Sequence, residues 1–461
     1  MIRKIAIIIG AYTWLLSASA MATPDKDSDY QPLSLFNDVL ERIRVGYVEK
    51  TNDKELLEAA LNGMLTSLDP HSSYLNTKKF NNMKAQNKGE FGGLGIEVTM
   101  ESGLIKIISP IDDTPAFKAG LRPNDFITHL DGESVQGLNI NEVVDRMRGS
   151  VNTNIKLTVS RNKQELFEVT LTRAIIKIQT VKYKLQDNVG YIRISQFVES
   201  TDTNLRKAID QLKKDSNGNL QGFILDLRNN PGGLLDQAIN VSSDFLDKGE
   251  VVSTRSRRPE ETKHYASNGK DLIDGLPLVV LINDGSASAS EIVAGALQDH
   301  RRAILLGTKS FGKGSVQTII PLKDHDAMVL TTARYYTPLG RSIQAVGIEP
   351  DIKVLPYNDE SLNLISDHFN RSEASLPRAL KNNTNLTSTE SDNKSKVDNK
   401  DKIDNKAKVE KVLQNNTTLP LVPSSLTDDG TKMLDLVTDC QLARAMDLVH
   451  GLSFYKYTIK R

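Results

Sequence analysis

Apolar positions along the chain follow three rhythms, each confined to its own stretch. Over residues 33–68, Phe36, Val39, Leu40, Ile43 and Tyr47 share one helical face, and Leu57, Ala60, Leu61, Met64, Leu65 and Leu68 another. This predicts two amphipathic helices within an N-terminal helical region, 30–85, with Asp69-Pro70 ending the second. Two helices bury such faces poorly by themselves, so they are expected to pack on another domain or a second subunit. Between 91 and 174 the pattern shortens to that of strands. From 175 to 355 buried-strand runs at 189–194, 223–227, 278–282 and 303–306 alternate with helical stretches near 203–213, 235–245 and 292–297, as in a layered α/β core. Residues 371–418 are rich in Asn, Lys, Asp, Ser and Thr, and Asp-Asn-Lys recurs at Asp392, Asp398 and Asp404. That six-residue repeat puts Val397, Ile403 and Val409 on no common face, which predicts a solvated linker. Helical periodicity returns over 430–452, in a segment long enough to dock and too short to fold alone. The fold class is α+β and multidomain, with helical terminal regions.

Composition adds an address and removes some partners. A chain of 461 residues exceeds one ordinary core. Lys+Arg and Asp+Glu are both 58, so no cationic excess exists to neutralise nucleic-acid phosphates. Arg3 and Lys4, the apolar run 5–16 and Ala20-Met21-Ala22 read as an export signal over 1–22, with Thr23 as the mature start. The run is shorter than the roughly 18 to 20 residues of a membrane helix. A cleaved signal and a periplasmic protein are therefore expected, with anchoring to the inner membrane as the alternative. Cys440 is the only cysteine, which excludes an intrachain disulfide and any cysteine-rich metal motif.

Within 91–174, Gly92-Gly93-Leu94-Gly95-Ile96 opens a strand. Pro115-Ala116-Phe117-Lys118-Ala119-Gly120 reads as a short helix stopped by glycine, and a turn at Asp131-Gly132 precedes a helix near 141–148. In that order these features resemble a PDZ domain, with Gly93, Leu94, Gly95 and Ile96 as its carboxylate-binding loop. Glycines in such a loop let successive backbone N–H groups converge on one anion, while the adjoining strand edge pairs with an extended peptide. The expected ligand is the free C-terminus of a polypeptide.

The strand at 278–282 runs into Asn283-Asp284-Gly285-Ser286-Ala287-Ser288-Ala289-Ser290-Glu291, and a closely packed helix follows. Ser288 and Glu291 have the spacing of a capping box, and taken alone that spacing describes only a helix cap. Two other loops add chemistry. In Asp226-Leu227-Arg228-Asn229-Asn230-Pro231-Gly232-Gly233, glycine N–H groups at a helix start are suited to approach a developing negative charge. In Gly307-Thr308-Lys309-Ser310-Phe311-Gly312-Lys313-Gly314-Ser315-Val316-Gln317, glycines bracket Lys313. This is no phosphate loop, since Gly314 follows Lys313 where Ser or Thr is required. Together with Tyr335-Tyr336-Thr337-Pro338 and Arg341-Ser342-Ile343-Gln344, these stretches resemble the carboxyl-terminal processing peptidases, exported serine endopeptidases that carry a PDZ domain. The resemblance covers about 33–354. It implies Ser288 as nucleophile, Lys313 as base, Gln317 as the residue holding the amine, and a protease core over 175–355 related to the crotonase and Clp-type folds.

The chemistry agrees with that resemblance. A serine hydroxyl needs a base, and an ordinary lysine, with pKa about 10.4, is neutral in fewer than one molecule in ~1,000 near pH 7. Burial against Phe311 and the helix at Ser288 is the available means of lowering it. The Ala289 N–H and that of Gly232 or Gly233 are the candidate oxyanion donors, and Gln317 is expected to fix the amine without adding a carboxylate. No histidine lies in a glycine-bracketed motif and no G-x-S-x-G elbow is present, which disfavours a histidine triad. His325 lacks a spaced second ligand pair, so neither a metal nor a cofactor is expected. The competing functions are a catalytically idle PDZ scaffold and, by fold analogy only, a crotonase-type acyl-transfer enzyme. Expected partners are polypeptides with free C-termini and further copies of the chain, an adaptor protein being left open.

Overall fold

The structure, a computed structural model, describes residues 31–161, 165–356, 372–382 and 439–459. The expected export signal, the linker sequence beyond 382 and the start of the predicted terminal helix lie outside them. Helices α1 (Gln31–Gly46) and α2 (Asp53–Thr66) account for the first of two units and follow the predicted periodicity. Arg44 clamps the turn between them, reaching Asp53 at 2.8 and 2.9 Å and Glu41 at 3.1 Å. Leu33, Leu35, Phe36, Val39 and Leu57 are exposed.

The second unit opens with β1 (Ser73–Leu75), α3 (Thr77–Lys88) and β2 (Glu90–Gly93). Then come β3 (Ile96–Glu101), β4 (Leu104–Pro110), α4 (Pro115–Lys118), β5 (Phe126–Leu130), β6 (Glu133–Ser134), α5 (Ile140–Met147), β7 (Asn154–Arg161) and β8 (Glu165–Thr172). Their antiparallel sheet has the order β3-β4-β5-β7-β8, with β6 beside β5. Ile105, Ile107, Ile127, Val143, Leu157 and Val159 form its core. A capping box starts α5: Asn139 Oδ1 accepts from the N–H groups of Asn141 and Glu142, and the Glu142 carboxylate accepts from the Asn139 N–H. Strand β2 pairs with β9 (Ala174–Lys177), joining the entry and exit of this PDZ domain.

The chain continues through β10 (Val181–Gln186), β11 (Val189–Ile194), α6 (Thr201–Asp215), β12 (Gly222–Asp226), α7 (Leu235–Ser243), β13 (Glu250–Ser256), β14 (Lys263–Ala266), β15 (Leu278–Ile282), α8 (Ala289–Asp299), β16 (Ile304–Gly307), β17 (Ser315–Pro321), β18 (Ala327–Tyr336), β19 (Ile352–Lys353) and α9 (Cys440–Ile459). One sheet has the order β10-β11-β12-β15-β16-β19 and is parallel from β11 onward. Its central strands are unbroken apolar runs because both faces are covered. Ile192, Leu225, Val280 and Ile282 point to one face and pack with Leu205, Ile209, Val241 and Val293 of α6, α7 and α8. Tyr191, Ile224, Val279 and Leu281 point to the other, where α9 lays Leu442, Ala445, Met446 and Val449 over them. The terminal helix expected to dock on a body of this or a neighbouring subunit thus docks on its own chain.

A second sheet, β1-β18-β13-β14 with β17 paired to β18, has no counterpart in the sequence prediction. Its strands mix Thr, Arg and Tyr with apolar residues and, apart from residues 251–254 of β13, are for the most part only partly buried, so they lack the continuous runs that betray the first sheet. Of the stretch 371–418 predicted as a solvated linker, residues 372–382 are described, and they do not form one. Residues 372–382 pack against the core: Glu373 is fully buried, its N–H donates to the Phe311 carbonyl at 3.0 Å, and the Asn382 amide donates to the Gln344 carbonyl at 3.0 Å. Polar anchors hold this segment, and a polar composition by itself points to solvent.

Candidate active site

Strands β12, β15 and β16 lie side by side and parallel, and the three loops singled out in the sequence leave their carboxyl ends. Open parallel sheets place their ligand sites outside those ends. Here the loops are laced together. Asn283 Oδ1 accepts the Asn229 N–H at 2.8 Å, Ser286 Oγ donates to the Leu227 carbonyl at 2.8 Å, and the Phe311 N–H donates to the Ser286 carbonyl at 3.0 Å. Asn230, fully buried, accepts the Gly232 N–H on its side chain at 2.9 Å and donates to the Ile194 carbonyl at 2.8 Å. Its own carbonyl receives the Ala287 N–H at 3.0 Å and the Ser290 hydroxyl at 2.8 Å.

Ser288 precedes α8 with φ 55° and ψ −113°. This is a backbone region that L-residues rarely occupy, and such strain gathers where a side chain must be presented. The Ser288 N–H donates to Glu291 Oε2 at 2.9 Å. That same oxygen accepts the Lys313 N–H at 2.8 Å, while Glu291 Oε1 accepts the Gly312 N–H at 2.7 Å and the Ser310 hydroxyl at 2.5 Å. One fully buried carboxylate therefore ties the backbone of the candidate nucleophile to that of the candidate base. Burial pushes the Glu291 carboxyl up to about 7, against the pull of these four donors.

Burial also holds the Lys313 amine below the ordinary lysine range, against the opposing charges of Glu373, Glu291 and Asp69. Among the described residues no carboxylate forms an ion pair with it. Three carboxylates act on the amine, and desolvation outweighs them. Among the described residues Gln317 makes no hydrogen bond to the Lys313 amine; its amide nitrogen donates to Ser315 Oγ at 2.9 Å and Thr331 Oγ1 at 3.2 Å. A register shift between Val316 and Gln317 re-aims the side chain along the strand pair.

The two glycines separate. Gly232, at φ 103°, lies against the candidate nucleophile: a Cβ there would stand 2.8 Å from the Ala287 carbonyl oxygen and from Ser288 Cβ, and 2.9 Å from the Ala289 nitrogen. Its N–H is committed to Asn230. Among the described residues, the N–H groups of Gly233 and Ala289 have no hydrogen-bond acceptor. Sequence reasoning missed three residues in this neighbourhood. Asp69 accepts the His71 and Ser72 N–H groups at 2.8 and 2.9 Å, and Glu373 accepts from His71 Nε2 at 2.9 and 3.0 Å. Asp69-Pro70 signals only a helix stop, and Glu373 lies in the stretch whose composition predicts a linker.

In the PDZ domain Gly93, Leu94, Gly95 and Ile96 together line a cavity of about 210 Å³, with Val98 on β3 and Val144 and Met147 on α5 completing its apolar wall. Gly95 has φ 75°, and a Cβ there would stand 2.3 Å from Thr114, so the loop requires glycine at this position.

Three family models match the chain: Peptidase family S41 over residues 188–354, PDZ domain over 92–171, and Activating protease CtpB N-terminal domain over 15–79. The chain is a serine-type endopeptidase that carries a PDZ domain. It is 51% identical to the carboxy-terminal-processing protease of Bartonella bacilliformis over 360 residues, 77% of this chain and 83% of that one. It is 36% identical to the carboxy-terminal processing protease CtpA of Bacillus subtilis over 77% of this chain and 78% of that one. Among solved structures it resembles a photosystem II D1 C-terminal processing protease, at 27% identity and a TM-score of 0.41 over 70% of this chain and 93% of that one. The chain belongs to peptidase family S41, among the carboxy-terminal-processing proteases.

Proposed function

We propose that this chain cuts exported polypeptides near their C-termini with a Ser288–Lys313 dyad, after the PDZ loop 93–96 captures the free end. The neutral Lys313 amine takes the Ser288 proton as Oγ attacks the scissile carbonyl, and the resulting ammonium returns that proton to the leaving amine. Water then attacks the acyl-enzyme, with Lys313 as base again. The N–H groups of Ala289 and Gly233 receive the oxyanion, since both are unspent and the Gly232 N–H is not. The observation that carries this reading is the Glu291 carboxylate that joins the backbones of Ser288 and Lys313 at 2.9 and 2.8 Å.

The open edge of β3 beside the glycine loop supports capture by strand addition. Helices layered on a parallel sheet support relating the core to the crotonase and Clp-type folds. The basic, apolar and small-residue succession over 1–22 supports export by a cleaved signal to the periplasm. The exposed apolar residues of α1 and α2 support association between copies of the chain. Membership in a peptidase family disfavours the idle-scaffold alternative. Purified Ser288→Ala and Lys313→Ala should still melt cooperatively as folded proteins and lose cleavage of an unfolded protein substrate. Cleavage retained by either variant would overturn the dyad.

A further inference from the structure

We propose that Glu373, delivered by residues 372–382, is a positioning residue for Lys313 that holds its loop and supplies the counter-charge for the ammonium formed during acylation. This rests on the reading of Lys313 as the base.

Glu373 is fully buried and both carboxylate oxygens are engaged: His71 Nε2 lies 3.0 and 2.9 Å from them, and the Gln344 amide donates to Oε1 at 3.0 Å. Its backbone N–H holds the Phe311 carbonyl at 3.0 Å. Gln344, also fully buried, passes the connection on by accepting the Gly314 N–H at 3.0 Å. The Glu373 network therefore grips the lysine loop on both sides of Lys313, at Phe311 and at Gly314. Full burial of a carboxylate is costly unless its surroundings compensate it.

Among the described residues, the charged groups that act on Lys313 are Glu373, Glu291 at the start of α8 and Asp69 before β1, with His71 joined to Glu373. Of the three carboxylates, Glu373 exerts the strongest field on the amine. Glu291 accepts four hydrogen bonds and Asp69 four, from His71, Ser72 and Thr331, whereas among the described residues the Glu373 carboxylate has only His71 Nε2 and the Gln344 amide as partners. A buried lysine base must be neutral at rest and cationic once it has taken the serine proton, and an unopposed ammonium in a dry site is expensive. A carboxylate whose charge acts on the amine without an ion pair to its resting form serves both states. The buried carboxylate of a serine–histidine–aspartate triad stabilises its imidazolium in the same way.

The test uses the full chain and an unfolded casein as substrate, with kcat and KM measured across pH. Glu373→Gln keeps the side-chain size and removes the charge. It should lower kcat by about 10-fold or more with KM nearly unchanged, and shift the acid limb of the kcat profile to lower pH, because the protonated amine has lost its counter-charge. Glu373→Asp should return the limb towards its wild-type position. A limb that stays in place in Glu373→Gln would overturn the proposal, since a purely structural residue lowers activity without moving it. If Glu373→Gln does not fold, Glu373→Asp decides: it keeps the charge but withdraws the carboxylate by one methylene, and a several-fold loss in kcat is expected, whereas full wild-type kcat overturns the role. Lys313→Ala, assayed alongside, must be inactive; cleavage by it would sink the reading of Lys313 as base, and an unmoved limb beside an inactive Lys313→Ala sinks only the role of Glu373.

Discussion

Gly232 leaves no room for a side chain, because a Cβ there meets backbone atoms of the segment that presents Ser288. Gly232→Ala should displace Ser288 and Ala289 together and reduce kcat/KM by roughly 10²-fold or more, the loss typical of a disturbed oxyanion donor; wild-type kinetics in this variant would show that the turn has slack. Lys313 makes a different prediction, about stability. Its amine binds a proton less well in the folded than in the unfolded chain. Folding therefore carries a penalty that is greatest at low pH and fades as pH rises towards the ordinary lysine value of about 10.4. Lys313→Met should remove that penalty, raising stability near neutral pH by about 0.5–2 kcal/mol. The gain, followed by thermal melts across pH, should shrink as pH rises, and a gain that grew would contradict the burial of the amine.

Among the elements, α9 shows how a distant part of the chain supports the site. Arg228 lies just before the glycine turn and spans Asp226 at the end of β12, at 2.6 Å, and Asp439 at the start of α9, at 2.8 and 2.9 Å. Against the cost of full burial, Arg228 holds the Asp226 carboxyl below the ordinary carboxylate range. The Tyr191 hydroxyl donates to Asp226 at 2.8 Å and the Arg228 guanidinium to Gln441 Oε1 at 3.0 Å. Removing one member of a buried ionic cluster leaves the others uncompensated, which costs about 3–5 kcal/mol in the worst case. Asp439→Asn should thus lower the melting temperature, accelerate hydrogen exchange over 440–459 and reduce activity through the Arg228 end of the turn. Unchanged exchange in α9 would mean that its apolar face alone secures it.

For the molecule as a whole, the PDZ domain and the protease core lie on one chain, and the proposed capture of the substrate's end can be tested apart from cleavage. A carboxylate received by converging N–H groups is a charge-assisted interaction of roughly 1.5–3 kcal/mol. Amidating the C-terminus of a peptide substrate should therefore raise KM by about 10-fold or more with little change in kcat. Equal KM for acid and amide would rule out capture through Gly93, Leu94, Gly95 and Ile96. The site's dependence on α9 and on residues 372–382 also means that truncation after residue 356 should impair activity even though all of the catalytic loops remain.

The sequence by itself determined the parts whose signals are local. Apolar runs marked β12 and β15, a glycine-rich turn ahead of a strand marked the PDZ loop, and glycines bracketed Lys313, while the role of Ser288 came from resemblance to a family. Tertiary structure alone decided which polar groups meet. Glu373 and His71 stand 302 positions apart in the chain, and no periodicity carries that information. The choice between Gly232 and Gly233 depends on which N–H Asn230 has already taken, and the aim of Gln317 on a bulge that shifts its strand register. Hydrophobic burial repeats along a chain and can be read from it, whereas a hydrogen bond between distant side chains exists only once the backbone has brought donor and acceptor to within about 3 Å of each other.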